Sequence, residues 1–134
     1  MSTKNIALIM GSFHKQEMEI MHAEALVVAK DVGLHIAEEI WVPGSLEKPL
    51  ALKKALQKDN IVGAVVLGII ERGETAHGLV MGQAVTQAII QLQLEFMKPV
   101  GMGILGPNIE PQQIPPRLKP YAAAAVRAAA VMLT

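Results

Sequence analysis

Ile61-Val62-Gly63-Ala64-Val65-Val66-Leu67-Gly68-Ile69-Ile70, continuing into Glu71-Arg72-Gly73-Glu74-Thr75-Ala76-His77-Gly78, carries the strongest structural signal in the chain. An unbroken apolar run of strand length, rich in β-branched residues, predicts a strand covered on both faces. It empties into a polar turn carrying glycines, a threonine and a histidine, and a helical pattern from about Leu79 to Phe96 follows. In an open parallel sheet, ligands gather outside the carboxyl ends of the strands, where this turn falls. Backbone N–H groups at the start of the next helix favour an anion in the same place.

Working outward, Ile6 to Met10 reads as a first strand ending at Gly11, and Ser12-Phe13-His14-Lys15 as a loop. Gln16 to Asp31 has helical spacing, with Gly33 as its C-terminal cap. Leu34 to Val42 is weaker strand material, interrupted by His35, Glu38 and Glu39, which fits an edge strand. Pro43-Gly44-Ser45 breaks the chain before a helix over Leu46 to Gln57. Beyond the long helix, Lys98-Pro99 opens a buried run, Val100 to Leu105, which Gly106-Pro107-Asn108 is expected to end. Ile109 to Pro116 reads as a proline-rich loop with little regular structure. Arg117 to Leu133 reads as an alanine-rich last helix interrupted early by Pro120. The pattern βαβαβαβα implies a four-stranded parallel sheet with helices on both faces, one domain spanning residues 1–134. Small residues along the last helix permit close helix approach and read as a subunit interface.

Composition narrows the function. The 134 residues carry equal numbers of acids and bases, and half are apolar. There is no basic run for nucleic acid and no basic amphipathic face for a membrane surface. The four aromatics (Phe13, Trp41, Phe96, Tyr121) are too few for a base-stacking platform. With no cysteine, disulfides, cysteine-ligated zinc and thiol catalysis are excluded. Met1-Ser2-Thr3-Lys4-Asn5 leads straight into a strand without a signal-peptide pattern, so a cytoplasmic protein is the expectation.

All four strands should end at one edge of the sheet, bringing together the turns Gly11–Lys15, Pro43–Glu47, Glu71–Gly78 and Gly106–Glu110. They gather histidine, glutamate, arginine and an aromatic, which reads as one shared pocket. His77, near a helix start, suits proton transfer close to neutral pH, and the helix terminus favours its neutral form. A capping or exposed histidine is the plainer alternative. His14, His22 and His35 show no metal-ligand spacing with it, so no metal is expected. Phe13 is placed either to stack on a planar heterocycle or to fill the core. Glu47 suits accepting hydrogen bonds from a polyol, or simply the dipole of its helix. Arg117 suits phosphate, or a solvated helix end.

Taken in order, Val42-Pro43-Gly44-Ser45-Leu46-Glu47-Lys48-Pro49-Leu50, Gly73-Glu74-Thr75-Ala76-His77, Lys98-Pro99-Val100 and Gly103-Ile104-Leu105-Gly106-Pro107 resemble the 6,7-dimethyl-8-ribityllumazine synthase family of riboflavin biosynthesis, in its short archaeal form. The resemblance covers nearly the whole chain. It implies a three-layer α/β/α flavodoxin-like sandwich, and a cofactor-free, metal-free transferase. It also implies a homo-oligomer, a pentamer or an icosahedral shell of pentamers, with sites between neighbours. The implied reaction condenses 5-amino-6-ribitylaminouracil with 3,4-dihydroxy-2-butanone 4-phosphate. By position, Phe13 would stack on the pyrimidine, and Ser45, Leu46 and Glu47 would hold the uracil and ribityl chain. Gly73, Glu74 and Thr75 would line the reactive end, and His77 would move protons. Met102 and Arg117 would come from the adjacent subunit, Arg117 onto phosphate. The chain departs from the family in His14, where asparagine is usual, in Leu79 for an acidic residue, and in Lys48 for an apolar one. The last-helix region also lacks a basic residue among Ala122 to Ala125. These departures keep a second reading open, a weakened or inactive assembly or ligand-binding protein on the same fold. A riboflavin synthase of archaeal type and a flavodoxin- or receiver-like module are further rivals. The receiver lacks an acidic cluster after its first strand.

Overall fold

A computed structural model describes residues 4–134. Met1 to Thr3, whose reading as a leaderless start belongs to the sequence, lie outside the described residues. The observed order is β1 (Lys4–Gly11), α1 (Lys15–Asp31), β2 (Leu34–Val42), α2 (Lys48–Leu56), β3 (Gly63–Glu71), α3 (His77–Phe96), β4 (Val100–Ile109) and α4 (Leu118–Val131). Every strand pair is parallel and the spatial order is β2-β1-β3-β4. The expected edge strand, β2, is at the edge.

Alternation along the inner strands makes the three layers. Ile6, Leu8, Met10, Val65 and Leu67 face one way and pack with Met18, Met21, Ala122, Ala125 and Val126 of α1 and α4. Ala7, Ile9, Ala64 and Val66 face the other way, against Leu52 and Leu56 of α2 and Val85 and Ile89 of α3. Because each side chain of a strand points opposite to the next, a strand covered on both faces must be apolar throughout. That is why β3 carries no polar interruption.

Successive connections leave β1 toward β2 on one side and β3 on the other, so the crevice between the ends of β1 and β3 is the topological switch point. The loop after β1 is pinned beside it. Ser12 N donates to Val42 O at 2.8 Å and Phe13 N to Pro43 O at 3.3 Å. Helix α1 is tied to β2 by Lys15 Nζ, 3.4 Å from the centre of the Trp41 ring, and by His22 Nε2, 2.9 Å from Glu39 Oε1.

Four local expectations need correction. β4 does not stop at Leu105 but runs on to Ile109, with its register against β3 shifting between Ile69 and Glu71. Gly106, at φ +96°, turns the backbone where a Cβ would run into the Ile70 carbonyl, and Gly106–Pro107 is cis. Two short 3₁₀ turns, Pro111–Gln113 and Pro115–Arg117, give the proline-rich stretch more order than a loop. Pro120 sits in the first turn of α4, where a missing N–H costs no hydrogen bond, and does not interrupt the helix. α3 begins at His77 rather than near Leu79, its first N–H held by Thr75 Oγ1 at 3.3 Å. The small residues of α4 have a role inside the chain, since Ala122, Ala125 and Ala129 are buried against their own sheet and α1.

Candidate active site

Three of the four strand ends enclose an open cleft of about 520 Å³, a size that suits a small organic ligand. β1 contributes Gly11, Phe13 and His14; the turn into α2 contributes Pro43 to Lys48; β3 and its turn contribute Ile69 to Gly73, Thr75, His77 and Gly78. The fourth turn, Gly106 to Glu110, does not line the cleft, contrary to expectation. It braces the third instead: Arg72 Nη1 donates to Glu110 Oε1 at 3.0 Å, and Arg72 N donates to Ile109 O at 2.9 Å.

Phe13 is 72% exposed, which removes the core alternative and leaves an aromatic face standing at the cleft rim. His14 caps α1 in the left-handed region, at φ 63° and ψ 49°. Asparagine adopts that conformation at low cost, so an asparagine at this position is physically sensible. Here the imidazole packs edge-on against Phe13, and its buried Nε2 has no hydrogen-bond partner.

In the second turn, Ser45 is buried and Leu46 is exposed. Glu47 Oε1 accepts from Gly44 N at 2.8 Å, so part of its carboxylate holds the turn rather than facing a ligand. In the third turn, Gly73, Thr75 and His77 line the cleft, whereas Glu74 is exposed outside it. Met102, half-buried on β4, packs toward the α2–α3 layer. Arg117 is exposed, and its Nη1 donates to Gln113 O at 2.9 Å. Neither Met102 nor Arg117 lines the cleft of its own chain.

Lys48, noted in the sequence only as a departure, is a cleft residue that sequence reasoning missed. It opens α2 yet is 1% exposed, with its side chain turned inward. Burial pulls the ammonium down to about 8, against the opposing pull of Glu47. The signal lay at Gly68, whose missing side chain leaves the room this lysine needs, and it is readable only once the strands are placed.

Among the described residues, no helix is long and apolar enough to cross a membrane. Comparison with known proteins identifies the family. A family model described as 6,7-dimethyl-8-ribityllumazine synthase matches residues 3–134. A protein of that name from Methanopyrus kandleri is 37% identical over 133 residues, covering 99% of this chain and 94% of its own length. One from Saccharolobus islandicus is 37% identical over 124 residues, covering 92% and 80%. One from Methanococcus vannielii is 35% identical over 129 residues, covering 96% and 91%.

Proposed function

This chain belongs to the 6,7-dimethyl-8-ribityllumazine synthase family and is an enzyme of riboflavin biosynthesis, and from that premise we infer how its cleft works. 5-Amino-6-ribitylaminouracil lies against Phe13, with its uracil and ribityl chain along Ser45, Leu46 and Glu47. 3,4-Dihydroxy-2-butanone 4-phosphate occupies the end marked by Gly73, Thr75 and His77, with Glu74 just outside it. The amine adds to the ketone, an imine forms with loss of water, phosphate leaves, and ring closure with a second loss of water gives the lumazine. The observation that carries this reading is the convergence of an exposed aromatic, a polar turn and a histidine at the switch point of the sheet.

Physical chemistry favours a cofactor-free route. Both reactive groups arrive on the substrates, so holding them face to face can supply on the order of 7–11 kcal/mol. Proton transfer by His77 adds roughly 10²–10⁴-fold at most.

The reading includes an assembly. Arg117, off the cleft of its own chain, serves the phosphate of a neighbour's cleft, and Met102 closes the same interface. A head-to-tail contact of this kind closes into a ring, here a pentamer or multiples of it. Exposed apolar residues on α3 and α4 (Val80, Leu94, Val131) support such contacts. The reaction takes place in the cytoplasm, without metal or cofactor.

The test is to incubate purified protein with both substrates, following lumazine absorbance and released phosphate. Equal amounts of the two products are expected. Absence of lumazine from well-folded protein contradicts the reading and favours the inactive alternative. His77→Ala is expected to lower kcat about 100-fold, the low end of that range. Arg117→Ala is expected to raise KM for the butanone phosphate by about 10- to 100-fold, the usual worth of a charge-assisted hydrogen bond. An unchanged KM in the arginine variant removes Arg117 from the site.

A further inference from the structure

We propose that Lys48 is a substrate-binding residue in the floor of the cleft, where its Nζ donates hydrogen bonds to the ring carbonyl oxygens of the oxo-pyrimidine substrate. The inference rests on the reaction assigned above and adds a contact particular to this chain.

Three observations carry it. First, the side chain crosses the sheet ends instead of reaching for solvent. Its Cε and Nζ each lie 3.4 Å from where a Cβ on Gly11 would stand, and Nζ fills the space a Cβ on Gly68 would need. Second, its hydrogen bonding is incomplete. An ammonium has three donors, and the contact it makes is a long one, 3.5 Å to Ser45 Oγ. Among the described residues no carboxylate lies within ion-pair distance of it. A buried cation without such partners is costly, and an apolar side chain of similar volume would serve packing better. Third, Lys48 lines the same cleft as Gly11, Ser45 and the exposed Phe13.

Those positions select the ligand. A planar group lying on Phe13 and reaching inward must present acceptors to the free donors, as the ring carbonyls of a pyrimidinedione do. Phosphate, the other acceptor-rich group, is assigned to the opposite end beside Thr75 and His77. The charges around the amine are few. Glu47 precedes it, β1 and β3 present glycine, and His14, Glu71, Arg72 and His77 stand elsewhere on the cleft wall.

The experiment compares wild type, Lys48→Met and Lys48→Arg. Lys48→Met is expected to raise KM for the pyrimidine at least about 10-fold, with KM for the butanone phosphate within about 2-fold. Lys48→Arg should recover part of the loss. In wild type, the ¹³Cε resonance of Lys48 is followed against pH with the pyrimidine alone. The ligand should shift the midpoint upward, which a purely structural lysine would not show, and butanone phosphate alone should leave it in place. If Lys48→Met does not fold, this titration decides. An unmoved midpoint overturns the proposal, as does an unchanged KM for the pyrimidine or an effect confined to the butanone phosphate. A wild type that binds the pyrimidine through Lys48 yet forms no lumazine would overturn the assigned reaction and leave the contact standing.

Discussion

Gly101→Val is expected to give no soluble folded protein, and Gly101→Ala to lose about 3 kcal/mol, at the upper end of overpacking effects. Gly101 lies on β4, where α4 crosses so closely that an added Cβ would meet the carbonyl of Ala125. Gly103, two residues on, is in the same position: its Cβ would stand 2.8 Å from Leu67 Cδ2 and 2.9 Å from Tyr121 O. Backbone cannot give way as a side-chain tip can, so the helix must lift and uncover the core on that face. Gly73→Ala is the control. Nothing lies within 4 Å of its missing Cβ, and melting within about 0.5 kcal/mol of the parent is expected. Thermal unfolding of the three variants checks this. An alanine at 101 that melts with the parent would mean that α4 does not depend on this close approach.

The second large effect is a pH dependence of stability centred on Lys48. Its ordinary value is 10.5, and burial lowers it to about 8 in the folded chain. Below pH 8 both folded and unfolded forms are protonated, and the folded chain bears the full cost of the buried cation, on the order of 3 kcal/mol. Between about pH 8 and 10.5 the folded form has lost its proton while the unfolded form keeps it. Stability contributed by this group therefore rises with pH across that window. Lys48→Met lacks the term. It should be more stable than wild type by on the order of 3 kcal/mol at pH 7, with the gap closing toward pH 10.5. Denaturant unfolding of both proteins at one protein concentration measures the difference, and other titrating groups cancel. A gap that stays constant with pH refutes the assignment of the shift to Lys48.

The parts of the molecule that follow from periodicity were legible in the chain. The β-branched run Val65-Val66, covered on both faces, required a buried parallel strand, and the four polar turns had to open at one edge. What was not legible depends on contacts distant in sequence. Gly106-Pro107 looks like a strand terminator, and its role as a kink within β4 exists because the Ile70 carbonyl lies opposite. Pro120 looks like a helix breaker until the helix start is placed at Leu118. At the cleft, Phe13, Ser45, Thr75 and His77 were readable because turn chemistry and motif order mark them. Lys48 was not, because a lysine in a helix reads as solvated unless a glycine on another strand, Gly68, is known to leave it room. Glu74 illustrates the reverse: its motif position pointed to the cleft, and its side chain lies outside the lining.

Arg117 is the residue on which the account turns, because its place off the cleft of its own chain makes sense in catalysis only if a neighbour uses it. The direct measurement is a mixing experiment. His77→Ala and Arg117→Ala proteins are unfolded together in equal amounts, refolded, and assayed at a low concentration of butanone phosphate. If each cleft takes His77 from one subunit and Arg117 from the next, random assembly leaves about one cleft in four intact, and activity returns to roughly a quarter of wild type. Activity that stays at the average of the two separate variants would contradict a cleft shared between subunits.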